Sequence, residues 1–248
     1  MAKTSGLGDN LYAAGYDLSG DIGSLSTIGA PMKPLELTAI DKLAFERVPG
    51  QRDGKISFTS FFNPSISQEH TAFSALPTAD VLCTYARGAV LGNPAAVMIA
   101  KQLNYDGKRT NEGNLTFDID MVGQGFGLEW GLQLTPGVKT DVAATNGTGV
   151  DTTASLAFGA QAYLQGMAFA GTDVTVKVQD SADNISFADV TGLTFTQITT
   201  SRFTQRLATA NTATIRRYLR AITVTTGGFT SLAYSVVVVK NQAAGVVF

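Results

Sequence analysis

The sequence predicts a mainly β fold with one short helix. Segments of alternating apolar and polar residues, rich in Phe, Ile, Val and Thr, recur along the chain, as expected for strands that bury one face. The 26 glycines and 7 prolines interrupt these segments at short intervals, which is typical of turns between antiparallel strands. The pattern therefore indicates a sandwich or barrel rather than a helical bundle.

The stretch 46–105 contains several well-marked elements. Its order is a Pro- and Gly-containing turn at 46–54, a strand at 55–63, a helix at 67–76, and strands at 80–87 and 95–105. A single small helix on such a sheet covers only one of its faces. The other face and the strand edges must then meet either water or another copy of the chain.

The segment 114–121 has the cleanest alternation. Its apolar residues share one face of a strand, which predicts that this face meets a core. The other face carries polar residues and should be wet, because unpaired carboxylates resist burial. The apolar set is Leu115, Phe117, Ile119 and Met121, and the polar set is Thr116, Asp118 and Asp120.

Changes in composition divide the chain into five regions. They are an N-terminal arm at 1–17, a first β domain at 18–135, a linker at 136–153, a second β domain at 154–240 and a tail at 241–248. The arm is small and polar, so we expect it to be disordered or to be ordered by a neighbour. The second domain has strand candidates at 154–164, 174–180, 187–190, 195–198, 212–225 and 230–240.

Composition argues against several classes of function. Charged residues make up 15% of the chain and the net charge is −2, so the whole chain has no electrostatic attraction for nucleic acid or anionic membranes. The lone cysteine, Cys83, provides neither a disulfide nor a metal site. We expect no signal peptide at the N-terminus, no membrane insertion, and a protein that is made and used in a soluble form.

Catalytic and cofactor motifs are weak. His70 is the only histidine and lies beside Glu69, but no nucleophile elbow accompanies it, so a surface histidine is the favoured interpretation. Asp180, Asp183 and Asp189 could hold a hard cation, although turn-forming aspartates are the simpler explanation. The glycines at 123, 125 and 127 lie between strands, which excludes a nucleotide-binding fingerprint. We expect no enzyme activity, no cofactor and no metal.

Several motifs together resemble the tail tube (major tail) proteins of bacteriophages with long, non-contractile tails. The resemblance extends in order over roughly residues 15–240. The motifs are Asp17-Leu18-Ser19-Gly20-Asp21-Ile22, the run Arg47 to Gly54 with Phe61-Phe62-Asn63, Leu76 to Asp80 with Thr84-Tyr85, Lys101 to Asp106, and Gly127 to Gly131.

The resemblance implies a virion protein that is made in the host bacterial cytoplasm and assembles into stacked hexameric rings. DNA would pass through the lumen without specific binding, and the partners would be a tape-measure protein, a tail terminator and baseplate proteins. Thr116, Asp118 and Asp120 are then candidates to line an acidic lumen, with an ordinary solvent face as the alternative. Candidates for contacts between rings or subunits are Arg47, Arg52, Asp53, Leu11 and Tyr12.

The second β domain is similar to galactose-binding-like jelly rolls found on some phage structural proteins. The similar segments are 172–183 and 214–220. Arg216, Tyr218 and Arg220 would share one face of a strand and form a possible surface-ligand patch, although salt bridges are the favoured interpretation. An alternative function is therefore an exterior carbohydrate-binding or adhesion module on the tail, since the fold alone does not decide whether sugar binds.

Overall fold

The computed structural model describes residues 5–76 and 78–244, and it confirms the mainly β fold. The only helix in this part of the chain is α1 (Glu69–Phe73), which is shorter than the expected 67–76; Pro77 lies outside the described residues. The strands are β1 (Asn10–Ala13), β2 (Tyr16–Asp17), β3 (Ile22–Gly29), β4 (Met32–Glu36), β5 (Arg47–Arg52), β6 (Lys55–Phe61), β7 (Val81–Ala86), β8 (Pro94–Gln102), β9 (Asp106–Arg109), β10 (Leu115–Gly123), β11 (Glu129–Gln133), β12 (Lys139–Asp141), β13 (Val150–Asp151), β14 (Ala160–Gly171), β15 (Thr175–Ser181), β16 (Ala188–Thr194), β17 (Phe203–Ala208), β18 (Tyr218–Val224) and β19 (Phe229–Lys240).

The largest sheet has 13 strands and extends through both halves of the chain. Its main path runs β17-β14-β19-β11-β8-β10-β6-β3, and β1, β2, β7, β9 and β12 attach to it. The pairing of β11 with β19, in which Leu132 lies opposite Val238, joins the two halves by backbone hydrogen bonds. Four other strands, β13-β18-β15-β16, form a second sheet.

Two buried clusters form the main cores. The cluster of the C-terminal half packs the second sheet against β14 and β19, with fully buried Leu164, Val176 and Val236. The cluster of the N-terminal half includes the buried residues Phe58 and Met98. A third, smaller cluster contains Tyr12, Val97 and Tyr163 and contacts both halves. The division into two domains at 136–153 stays a prediction, because the sheet and this third cluster are shared.

The N-terminal segment differs from the expected arm. Leu11, Tyr12 and Ala13 are buried, and β1 pairs with β7. The Gly15 amide donates to Gln165 Oε1 at 2.8 Å, and the Gln165 amide donates to Leu82 O at 2.8 Å. Burying large apolar side chains contributes about 1.5–3 kcal/mol each, so this segment is held by its own chain rather than by a neighbour. Residues 1–4 lie outside the described part.

Other expectations also change in the structure. The expected turn at 46–54 contains strand β5. The expected linker at 136–153 contains β12 and β13, which pair with β19 and β18. The strand candidate at 195–198 makes only an isolated bridge, from Ile198 to Val174. The next strand along the chain is β17, which the sequence did not predict. Of the expected tail at 241–248, residues 245–248 lie outside the described part.

Candidate assembly surfaces

The hairpin formed by β4 and β5, here called the β4–β5 hairpin, makes a two-stranded sheet of its own. Leu35 lies opposite Val48, and the register shifts between Met32 and Pro34. Gly50 is required by a close approach, since a Cβ at this position would lie 2.2 Å from Lys33 O. A two-stranded ribbon alone is marginally stable in water, so this hairpin is suited to being completed by another surface.

The β4–β5 hairpin concentrates exposed apolar side chains. It carries 7 of the 18 exposed large hydrophobic residues of the described chain, and Ile40 and Leu43 near its tip are completely exposed. The seven are Met32, Leu35, Leu37, Ile40, Leu43, Phe45 and Val48. Single exposed apolar residues are ordinary, but seven of them in the short stretch 32–48 make the hairpin a candidate interaction surface.

Three of the expected contact residues lie in or beside β5. The Arg47 guanidinium lies over the Phe45 ring at 4.6 Å, so it helps to order the apolar surface of the hairpin. Arg52 and Asp53 are exposed at the base of the hairpin, where the Asp53 amide donates to Pro31 O at 3.0 Å. Leu11 and Tyr12, the other two, are buried within the chain and present no side chain to a neighbour.

The polar face of β10 has the expected alternation, but its carboxylates are paired. Thr59 Oγ1 donates to Asp118 Oδ1 at 2.8 Å, and Lys108 Nζ donates to Asp118 Oδ2. Lys55 Nζ lies 3.0 Å from Asp120 Oδ1, which also accepts a hydrogen bond from Ser57. Both carboxylates of the expected acidic face are therefore paired, each with one lysine.

These pairings also lower the pKa of both carboxyl groups. The hydrogen bond from Lys108 lowers the pKa of Asp118, and a second hydrogen bond from Thr59 acts in the same direction. For Asp120 the hydrogen bond from Ser57 is the largest cause of the lowered pKa, followed by that from Lys55. Both groups are ionised at neutral pH, and each is compensated by one lysine. Thr116, the third residue of this set, is half-buried on the same strand.

The possible surface-ligand patch of Arg216, Tyr218 and Arg220 is held by contacts within the chain. The Arg216 guanidinium contacts Asp180 at 2.6 Å, and Arg220 donates to Gln179 Oε1 at 2.7 Å while it lies over the Phe187 ring. Tyr218 is half-buried at the start of β18. The structure thus brings these residues to one region, but the arginine side chains already have partners within the chain.

The residues considered for catalysis or metal binding have structural contacts. His70 Nδ1 lies 2.9 Å from the Tyr105 hydroxyl, which donates to Glu69 Oε2 at 3.2 Å. Burial raises the pKa of the Cys83 thiol to about 12. Within residues 5–76 and 78–244, no group of three or more His, Cys, Asp or Glu side chains could hold a metal ion, and no helix could span a bilayer.

Sequence reasoning missed a groove beside Trp130. Two adjoining cavities of about 360 and 450 Å³ share Trp130, Lys240 and Gln242 in their walls. Glu129 and Asn241, which are almost fully buried, line the second cavity. The alternating strand pattern gives no signal for this groove, because its residues come from six separate parts of the chain.

Comparison with known proteins gives structural neighbours at low similarity. No family model and no curated protein matches the sequence. A chain from the tail of an empty GTA particle with C6 symmetry is 13% identical, covers 52% of this chain and 98% of its own, and has a TM-score of 0.41. The SPP1 Dit (gp 19.1) protein, described as a hub of the adsorption apparatus in phages that infect Gram-positive bacteria, is 12% identical, with 94% and 99% covered and a TM-score of 0.34.

A third neighbour is a chain of the phage p2 baseplate in its activated conformation. It is 9% identical, with 94% of this chain and 99% of that chain covered, and its TM-score is 0.35. All three TM-scores are below 0.5.

Proposed function

We propose that this protein is a non-enzymatic structural subunit of a phage tail, and that six copies form a ring which stacks into a tail tube. The observation that carries the proposal is the β4–β5 hairpin, whose apolar side chains are exposed in the isolated chain. Its burial against the next ring would supply the stacking energy, since each fully buried large apolar side chain contributes about 1.5–3 kcal/mol.

The edges of the large sheet support lateral contacts between copies. Among the described strands, β3 pairs only with β6, and β17 pairs only with β14, so each end of the main path leaves backbone groups for a neighbour. Two different edges make a head-to-tail contact, and such contacts close into a ring when the rotation matches. The ring number of six comes from the sequence resemblance.

A lumen position for β10 is part of the same proposal. Thr116, Asp118 and Asp120 would face the channel, and the paired lysines, Lys55 and Lys108, would lie beside them. Asp106 lies opposite Asp118, so this face carries three carboxylates and two lysines and has no net attraction for the phosphates of passing DNA. The tape-measure, terminator and baseplate partners, and the location in the virion tail, follow from the resemblance and belong to this proposal.

Electron microscopy of the purified protein tests the assembly. We expect rings or striated tubes for the unaltered chain, and single subunits or unstacked rings for the double variant Ile40→Ser, Leu43→Ser. The matched control is Ile185→Ser, which removes another highly exposed apolar side chain outside the hairpin. A protein that stays monomeric under all assembly conditions, or a double variant that still stacks, would contradict the proposal.

A further inference from the structure

The groove formed by the two cavities beside Trp130, here called the Trp130 groove, lies at the seam between the two main cores. Trp130 and Leu132 share one face of β11, because side chains alternate along a strand. Trp130 lies opposite Ala96, which belongs to the cluster of the N-terminal half. Leu132 lies opposite Val238, which belongs to the cluster of the C-terminal half. The groove is therefore a part of the sheet face that neither core fully covers.

Trp130 gives the groove an apolar surface that is suited to a protein contact. The residue is half exposed, and the Tyr85 ring meets it edge-on with the ring centroids 6.3 Å apart, which holds the tryptophan ring in place. Pro94 and Leu156 extend the apolar wall of the groove. Tryptophan is enriched at protein interfaces, because its large and rigid ring supplies contact area at a low cost in conformational entropy.

Lys240 makes the groove positive, since it lines both cavities. In the described chain its ammonium group donates to three neutral oxygens, Thr152 Oγ1, Ala154 O and Arg216 O. Burial lowers the pKa of Lys240, which indicates a cation that the nearby carboxylates compensate incompletely. Arg52 adds a second cation to the wall. The Glu129 side chain lies on the opposite face of β11, where it accepts a hydrogen bond from Tyr163.

The tip of the β4–β5 hairpin has the complementary features. Ile40 and Leu43 are completely exposed, and Asp41 between them is an exposed carboxylate. Lys42 pairs with Glu46 at 3.4 Å, so the remaining charge of the segment 37–46 is that of Asp41. The tip thus combines apolar side chains with one net negative charge, whereas the groove combines an apolar surface with positive charge.

We propose that the Trp130 groove of one copy receives the tip of the β4–β5 hairpin of a neighbouring copy. Ile40 and Leu43 would pack against Trp130, and Asp41 would lie towards Lys240. Such charge complementarity steers the encounter and fixes the orientation of the two surfaces. Because the tip and the groove are different surfaces of the same chain, the contact is head-to-tail and can repeat from copy to copy. This inference rests on the proposed tail-subunit function and names the surface that the hairpin contacts.

Disulfide cross-linking between two single variants tests the contact. Leu43→Cys protein and Gln242→Cys protein are mixed, allowed to assemble and mildly oxidised; Gln242 is exposed and lines both cavities. The native Cys83 is buried with a thiol pKa raised to about 12, so it does not compete. We expect a linked dimer in the mixture that neither variant gives alone.

The control mixture uses Ile185→Cys in place of Gln242→Cys, because Ile185 is exposed and lines neither cavity. It should give at least about tenfold less linked dimer with Leu43→Cys, since random encounters lack the effective concentration of a docked pair. Equal yields from the two mixtures would overturn the assignment of the groove.

The fluorescence of Trp130 reports on the groove directly, because it is the only tryptophan of the chain. We expect its emission to shift to shorter wavelength when the unaltered chain assembles, since the half-exposed ring loses contact with water. The double variant Ile40→Ser, Leu43→Ser should show no such shift under the same conditions. Thermal unfolding of each variant, compared with the unaltered chain, verifies that it is folded.

Charge reversal tests the electrostatic part of the contact. Asp41→Lys should slow assembly at low salt by about tenfold, because like charges would then meet at the groove. Glu112→Lys is the matched control, since it reverses an exposed carboxylate outside the hairpin, and it should leave the rate unchanged. Equal slowing by both substitutions would overturn the pairing of the hairpin tip with the groove.

Electron microscopy of the same samples separates this inference from the proposed function. Rings or tubes that form without the 43–242 cross-link, or without a shift in Trp130 emission, would overturn the inference and leave the tail-subunit function standing. The groove would then be open to a different partner. An unaltered chain that stays monomeric under all assembly conditions would overturn both.

Discussion

The β4–β5 hairpin and the large sheet use apolar residues in opposite ways. In the sheet, residues such as Leu164 and Val236 are fully buried and hold β14 and β19 against the second sheet. In the hairpin, Ile40 and Leu43 are fully exposed, and the ribbon pairs with no other sheet of the described chain. The sheet thus stabilises the subunit, whereas the hairpin leaves its apolar side chains exposed on the subunit.

Leu164→Ala should have the largest effect on the isolated subunit. Removing a fully buried leucine leaves a cavity, which costs about 2–5 kcal/mol. Urea unfolding should show a midpoint lowered by a corresponding amount with an unchanged slope. A loss below about 1 kcal/mol would mean that this core is loosely packed and would weaken the contrast with the hairpin.

Two glycines allow a matched comparison of the two regions. A Cβ at Gly131 would lie 2.2 Å from Val238 O, and a Cβ at Gly50 would lie 2.2 Å from Lys33 O. We expect Gly131→Ala to cost about 1–3 kcal/mol, because it forces apart two central strands. Gly50→Ala should distort only the hairpin and should change global stability by less than about 0.5 kcal/mol.

Chemical unfolding compares global stability for both glycine variants, and electron microscopy reports stacking. We expect rings of the Gly50→Ala variant to stack poorly, although the rest of the subunit outside the hairpin is stable. Equal destabilisation by the two substitutions would show that the hairpin and the sheet unfold as one unit.

Acidification should weaken the polar face of β10. The pKa of Asp118 and that of Asp120 are lowered from the usual 3.8 in the folded chain, so their contribution is present above this value. It is lost as the pH falls below 3.8 towards the folded pKa, because the unfolded chain then binds more protons. The unfolding temperature, measured from pH 7 downwards, should therefore decrease below about pH 4.

The double variant Asp118→Asn, Asp120→Asn should show less of this acid sensitivity. Asp41→Asn is the control, since Asp41 is an exposed carboxylate outside β10. An unchanged pH profile in the double variant would contradict the role of these pairs.

Leu43→Ala should have the smallest effect on the free subunit. Its side chain is completely exposed, so the expected change in stability is within about 0.5 kcal/mol. Calorimetric unfolding of dilute protein measures this value, and sedimentation at high concentration measures assembly. A large loss of stability in the monomer would show that Leu43 packs on its own chain, contrary to the hairpin's proposed role.

Sequence patterns predicted the strands best where one face alone meets a core. The alternation at 115–121 predicted β10, and Ile119 and Met121 are buried as expected. Strand β5 was mistaken for a turn, because Pro49 and Gly50 are turn residues in most contexts. Here the edge position tolerates the proline, and the close approach to Lys33 requires the glycine.

The sequence by itself determined a mainly β protein with low charge, and it placed seven large apolar residues between Gly29 and Arg52. Only the tertiary structure decided which charges meet, since the partners of Asp118 and Asp120 come from strands up to 65 positions away. It also decided that Leu11 and Tyr12 are buried, and that Glu129 and Asn241 line one groove. The physical reason is that a strand's own pattern fixes which side chains share a face, whereas register and long-range pairing fix what that face contacts.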